Sequence, residues 1–324
     1  MMSRRGCVLA VAVAAALLLA LWSLLGGWYG SGPLEKDQNF IVPNGASLSA
    51  VAERLEQKGV IRSAGGFVLR ARIFGGGGGI KAGEFAIPAH ASPARVLAII
   101  SSDEVIRRFV TIPEGMPAIM VQERLMAVPQ LTGEVAAPEE GSVLPDSYAF
   151  ESREPREAVL RRMQAAMSRT LKELWARRAP NLVVKTPEQA LVLASIVEKE
   201  TGKPAERRMV AGLYSNRLRT GMLLQADPTI IYPITRGKPL GRRILQSEIQ
   251  AVNDYNTYTM VGLPRYPITN PGKASIEAVL HPADTDALYM VADGTGGHAF
   301  ASTLEQHNAN VAKWFAIRRE RGEL

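Results

Sequence analysis

The chain has 324 residues, 38 Lys plus Arg against 31 Asp plus Glu, a formal net charge of +7 and a single cysteine, Cys7. This length accommodates two domains, and one cysteine excludes an intrachain disulfide. The basic balance fits either a solvated basic surface or an affinity for anionic partners such as a membrane surface or wall polymers, and without a recognisable nucleic-acid module nucleic acid is not an expected partner.

Met1 to Arg5 is short and basic, and Cys7 to Leu25 is almost uncharged and rich in Ala, Val and Leu. That run is long enough to span a bilayer as a helix. Arg4 and Arg5 before it predict a cytoplasmic N-terminus and an exported remainder, with Trp22, Trp28 and Tyr29 suited to the outer interface. A cleaved signal peptide is the competing reading, but no clean Ala-x-Ala site closes the run. The expected layout is a tail over 1–6, a transmembrane anchor over 7–26, a linker over 27–39, a small module over 40–101, a connecting strand and loop region over 102–155, and a larger domain over 156–324.

Within the small module, Phe40-Ile-Val reads as a strand. Leu48, Val51, Ala52 and Leu55 form a helical stripe ending at Gly59. Phe67 to Phe74 reads as a second helix, Gly75 to Gly79 as a loop, Lys81 to Ile87 as a strand and Pro93 to Ile100 as a helix. The pattern fits either a carbohydrate-binding module or a spacer. Beyond it, Val105 to Ile112 is strand-like, Met116 to Val128 helical, Leu144 to Phe150 an ordered loop, and Arg156 to Arg178 a long basic amphipathic helix.

The most informative segment follows. Thr186, Pro187 and Gln189 form a helix start with a capping box. Ala190 to Val197 is almost wholly apolar, and Gly202 and Pro204 supply a stop. Glu198 and Glu200 lie at the end of this buried pattern, and residues two apart on a helix point about 200° apart. Glu200 continues the stripe Leu193, Ile196, Val197, whereas Glu198 continues the smaller, more polar Leu191, Ala194, Ser195. Burial raises a carboxyl pKa and keeps the proton a general acid needs. On this segment alone, a solvated helix end or a pair with Lys199 is the favoured reading.

Glu206 to Arg219 is another helix, with Asn216 on a largely apolar stripe. Its amide needs partners, either backbone groups or a sugar. Gln225 and Asp227 alternate with apolar neighbours as in an extended segment that bends at Pro228. Asn256-Thr257-Tyr258 repeats the polar and aromatic mix that suits polyol recognition, or turn chemistry. Gly262-Leu-Pro264 and Pro267 to Gly272 are rigid loops, Ala287 to Ala292 a strand, and Thr303 to Trp314 a helix. His281, His298 and His307 match no tight zinc spacing, so neither metal nor cofactor is expected. The whole predicts an α+β protein: an N-terminal transmembrane helix, a small module and a larger mixed α/β domain.

Ala194-Ser-Ile-Val-Glu-Lys-Glu-Thr201, Ser215-Asn-Arg-Leu218, Leu224-Gln225 with Asp227-Pro-Thr229, Tyr255-Asn-Thr-Tyr258, Gly262-Leu-Pro264, Asn270-Pro-Gly272, His281-Pro282 and Gly296-Gly-His298 occur in the order of a known family. The chain resembles the MltG, or YceG-like, endolytic murein transglycosylases over nearly its whole length, including Leu144-Pro-Asp-Ser-Tyr148. Arg265, where the family often has a second proline, and Pro117, in a usually polar turn, depart from the pattern.

The resemblance implies a single-pass protein of the cell inner membrane. Its periplasmic part would be a LysM-like subdomain and a catalytic domain. The latter would cleave nascent glycan strands between N-acetylmuramic acid and N-acetylglucosamine to leave 1,6-anhydro ends. Glu200, immediately before Thr201, corresponds to the functional glutamate. Asn216, Gln225, Asp227, Asn256 and Tyr258 are expected to contact sugars or position Glu200. Peptidoglycan strands, the membrane and peptidoglycan synthases of the penicillin-binding class are the expected partners. A hydrolytic muramidase and a non-enzymatic glycan-binding scaffold are the alternatives.

Overall fold

The computed structural model describes residues 4–75 and 78–323, with the side chains at 4–12 and 20 outside the described residues. The start of the expected tail and part of the Gly75–Gly79 loop therefore lie outside them. The chain divides into two units, residues 1–108 and 109–324.

The first unit starts with α1 (Arg4–Tyr29), so the expected span over 7–26 is helical throughout. No helix among the described residues is long and apolar enough to cross a membrane. The interfacial role expected of Trp28 is corrected. Its ring is only 2% exposed and packs against Phe67 and Phe74, with centroids 5.8 and 6.2 Å away. Leu34, in the stretch read as linker, is buried in the same core.

β1 (Gln38–Val42) then pairs antiparallel with β2 (Gly83–Ile87), Phe40 opposite Phe85. Between them run α2 (Leu48–Gln57) and α3 (Ala64–Phe74), and α4 (Pro93–Ser101) follows. Each of these three helices starts at a serine, Ser47, Ser63 or Ser92, whose hydroxyl accepts the backbone N–H three residues on. That bond satisfies one of the orphan donors of the first turn.

β3 (Arg108–Thr111) leads into the second unit and pairs with β4 (Ser147–Phe150), inside the segment expected to be an ordered loop. α5 (Ala118–Met126) and α6 (Arg156–Ala176) complete one core around Val121, Leu125, Val159 and Met163. The second core surrounds α7 (Pro187–Glu200), where Ala190, Leu193, Ala194, Ile196 and Val197 are fully buried. Thr186 caps α7 as expected, but Gln189 reaches past the cap to accept the Lys185 N–H at 2.7 Å.

α8 (Arg207–Thr220) and α9 (Asp227–Thr235) follow, then α10 (Gln246–Ile249) and α11 (Lys273–Leu280). The unit closes with the hairpin β5 (Tyr289–Ala292) and β6 (His298–Ala301), and α12 (Leu304–Glu320). The expected extended reading through Asp227 is corrected. Asp227-Pro228 opens α9 with the proline in its first turn, where a missing N–H costs nothing. This places both units in a mixed α/β architecture whose described sheets are two-stranded.

Candidate active site

α7 ends at two carboxylates with different fates. Glu198 is spent on structure. Its Oε2 accepts the Gly272 N–H at 2.9 Å, its Oε1 lies 3.7 Å from the Arg207 guanidinium, and its side chain is 5% exposed. Arg207 also reaches Glu114 at 3.0 Å. The loop Asn270-Pro-Gly272 is thereby fixed to the end of α7. Ser195 adds a second tie, its Oγ accepting the Ile268 N–H at 3.1 Å. Asn270 ties the loop to a different segment, donating to the Met116 carbonyl and accepting from Val143 N–H.

Glu200 faces elsewhere. It opens on a cavity of about 240 Å³ shared with Tyr214 and Arg217 of α8, Leu224, Gln225, Asp227, Tyr258, residues 290–292 of β5 and His298 of β6. Its Oε1 is buried without a hydrogen-bond partner among the described residues. Burial first, and the charge of Asp227 second, push its pKa up to about 7, against the lowering pull of the Tyr214 hydroxyl and Arg217. A carboxyl poised there holds and releases a proton near neutrality. Larger cavities of about 450 and 540 Å³ are lined around Pro113–Pro117 and around Arg207 and His281. Neither gathers titratable groups around a carboxyl displaced in this way, so the smaller one is the candidate site.

The far wall is built by the segment after α8. Arg217 holds it, donating to the carbonyls of Leu223, Leu224 and Leu288. Gln225 sits in the left-handed region at φ +53°, a conformation that costs a non-glycine residue energy and recurs at functional sites. Thr257 knits the Tyr258 loop to this segment. Its Oγ1 accepts the Ala226 N–H at 3.0 Å and lies 2.9 Å from the Thr229 hydroxyl. The Tyr258 hydroxyl donates to Asp227 Oδ1 at 2.6 Å.

Of the residues singled out in the sequence, Glu200, Gln225, Asp227 and Tyr258 line one cavity. Asn216 and Asn256 are occupied elsewhere. Asn216 donates to the carbonyls of Thr285 and Ala287 at 2.7 and 3.1 Å. Asn256 donates to those of Ile249 and Ala251 at 2.9 and 2.7 Å, while its own carbonyl accepts the Tyr258 N–H. Tyr214 and Arg217 were not singled out, although they stand three apart on α8 and so on one face. Of the histidines, His298 bonds to Glu206, His307 stacks on Tyr289 and His281 caps α11.

The model of the YceG-like family matches residues 40–313. The chain belongs to the YceG-like family. It is 27% identical over 326 aligned positions to a Bacillus subtilis protein named endolytic murein transglycosylase, covering 89% of each. A Streptococcus pneumoniae protein of the same name is 35% identical over 181 residues, 54% of this chain and 32% of that one. A crystal structure of a putative yceG-like protein from Listeria monocytogenes shares the fold, with a TM-score of 0.53 at 24% identity over 85% of this chain and 98% of that one.

Proposed function

We propose that this protein is an endolytic peptidoglycan lytic transglycosylase that cleaves nascent glycan strands between N-acetylmuramic acid and N-acetylglucosamine. The observation that carries the reading is Glu200, raised to about 7 with a buried, unpartnered oxygen in a polar cavity. In its acid form it donates its proton to the glycosidic oxygen as the bond to C1 breaks, and the leaving sugar departs as an alcohol. The carboxylate then takes the proton of the muramyl C6 hydroxyl while that oxygen closes on C1. A 1,6-anhydro end forms, Glu200 is protonated again, and no water is consumed. One group serves both steps because both of its forms are populated near neutral pH. Gln225, Asp227 and Tyr258 contact the sugars, and Asn216 and Asn256 shape the walls.

Mass spectrometry of products from purified glycan strands tests this. Ends lighter by one water than reducing ends support it, and reducing ends alone sink it. The latter result would indicate a hydrolytic muramidase, a reading favoured by Asp227 as a second carboxylate in the same cavity, since hydrolysis with two carboxyl groups is the general pattern. A glycan-binding scaffold would give no product.

The apolar run of α1 anchors the protein in the inner membrane with its N-terminus cytoplasmic and the chain after about Gly30 periplasmic. A reporter fused after Gly32 that is active only in the cytoplasm would refute this topology. The first unit, with two helices between two antiparallel strands, acts as a LysM-like module that holds glycan. Penicillin-binding synthases supply the nascent strand.

A further inference from the structure

The pocket holds a histidine that the mechanism above does not use. Its surroundings are built. Glu206 follows α7 in a short turn, Pro204–Glu206. Its carboxylate grips His298 at two points: Oε2 lies 2.9 Å from Nδ1, and Oε1 accepts the His298 backbone N–H at 3.1 Å. Burial pushes the Glu206 carboxyl up, but the ring and backbone bonds from His298 outweigh it and hold the group below its ordinary range. Glycine before the histidine leaves room for this carboxylate. A Cβ on Gly297 would stand 2.1 Å from Glu206 Oε1 and 2.5 Å from Lys203 Nζ, and Gly296 lies at φ +84°. Asp293 closes the turn by accepting the N–H groups of Thr295 and Gly297, and Lys203 Nζ donates to Thr295 Oγ1 at 2.9 Å.

An ionised carboxylate only accepts hydrogen bonds, so in the neutral imidazole the ring proton belongs on Nδ1 and Nε2 is left as a bare acceptor. Among the described residues Nε2 has no hydrogen-bond partner, and His298 lines the Glu200 cavity. Two other polar groups of that cavity already carry hydrogen bonds: Tyr258 to Asp227, and Arg217 to three carbonyls. We propose that His298, locked as an Nε2 acceptor by Glu206, binds a hydroxyl or acetamido N–H of the aminosugar beside the scissile bond, making Glu206 a positioning residue for substrate binding. This rests on the transglycosylase reading of the same cavity.

Two substitutions separate binding from architecture. Asn at 298 reproduces the Nδ1 donor and keeps the grip on Glu206 but offers nothing at the Nε2 position. Gln reaches the Nε2 position with a carbonyl oxygen and gives up the grip. His298→Asn should melt like the parent yet lose about tenfold in kcat/KM, mainly through KM, the factor one hydrogen bond of ordinary strength supplies. His298→Gln should recover part of that loss. In the Glu200→Gln background, adding His298→Asn should weaken binding of an uncrosslinked glycan tetrasaccharide by a similar factor. Unchanged kcat/KM and binding in His298→Asn would overturn the proposal. So would a His298→Gln variant more damaged than His298→Asn, since the grip alone would then matter. An active Glu200→Gln enzyme would instead overturn the transglycosylase reading itself.

Discussion

Glu198 and Glu200 stand two residues apart at the end of one helix and differ in what surrounds their oxygens. Glu198 has a backbone N–H and a guanidinium, and the loop that supplies the N–H is thereby fixed. Glu200 has an oxygen with no partner and a cavity in front of it. Burying a carboxylate with partners produces a structural joint, whereas burying one without them produces a group that keeps its proton. The comparison teaches that depth of burial does not identify the reactive carboxyl. The side chain of Glu198 is almost wholly covered, yet its oxygens are taken by Gly272 and Arg207, whereas Glu200 keeps a free oxygen and is raised to about 7.

The comparison breaks most sharply by removing the proton. Glu200→Gln keeps the shape and the hydrogen-bonding capacity but cannot titrate. Formation of anhydro ends should fall by roughly 10²–10⁴-fold, the usual contribution of general acid–base catalysis, with the circular dichroism spectrum unchanged. Near-parental product formation would remove Glu200 from the mechanism.

Stability should move the other way. A carboxyl whose folded pKa is raised from 4.5 to about 7 favours the folded state fully below its unfolded value. That contribution is lost as pH rises through about 7. Glu200→Gln should therefore match the parent near pH 4 and become more stable above pH 7, by on the order of 3 kcal/mol. Glu140 is also raised to about 7, chiefly by burial, and accepts the Ala118 N–H. The variant should thus retain part of the parent's pH dependence. Chemical denaturation of both proteins across this range would expose the difference, and parallel curves would mean that Glu200 is not desolvated.

Glu198→Gln should show the complementary behaviour. The amide can still accept from Gly272, and Arg207 keeps Glu114 at 3.0 Å. The loss is then about 1–2 kcal/mol of stability, with kcat reduced only a few-fold. A dead but fully stable Glu198→Gln enzyme would reverse the roles assigned to the two carboxylates.

How far the sequence carried this distinction depended on the kind of information each residue holds. The direction of Glu200 followed from helical periodicity, because Ala190 to Val197 is apolar enough to define which side is core. The start of α7 followed from Thr186, a cap that acts within three residues, whereas the Ser63 cap of α3 went unread and that helix was expected only from Phe67. Contacts distant in sequence were not legible. Nothing near Asn216 announces the carbonyls of Thr285 and Ala287, and nothing near His298 announces Glu206. α11, between a proline-rich loop and His281, went unmarked although its Ile276 and Leu280 are buried against the α7 core. Trp28 misled for a related reason. An aromatic residue after an apolar run suits an interface, and its contacts with Phe67 and Phe74 depend on a fold that local pattern does not reveal.

The smallest expected effect tests the coupling inside the pocket. Asp227 is the second cause of the raised Glu200 pKa, after burial, so Asp227→Asn should lower that pKa by a fraction of a pH unit while burial keeps it above the ordinary carboxyl range. An enzyme that needs the acid form loses rate as pH rises through this value. The basic limb of the kcat/KM profile should therefore move to lower pH in Asp227→Asn, and part of the activity lost at pH 7 should return at lower pH. Tyr258→Phe supplies the control. It removes the 2.6 Å hydrogen bond to Asp227 but leaves the charge in place, so it should weaken substrate binding a few-fold without moving the limb downward. If Asp227→Asn lowers activity equally at every pH, Asp227 acts through substrate contact alone and the two carboxyls are not electrostatically coupled.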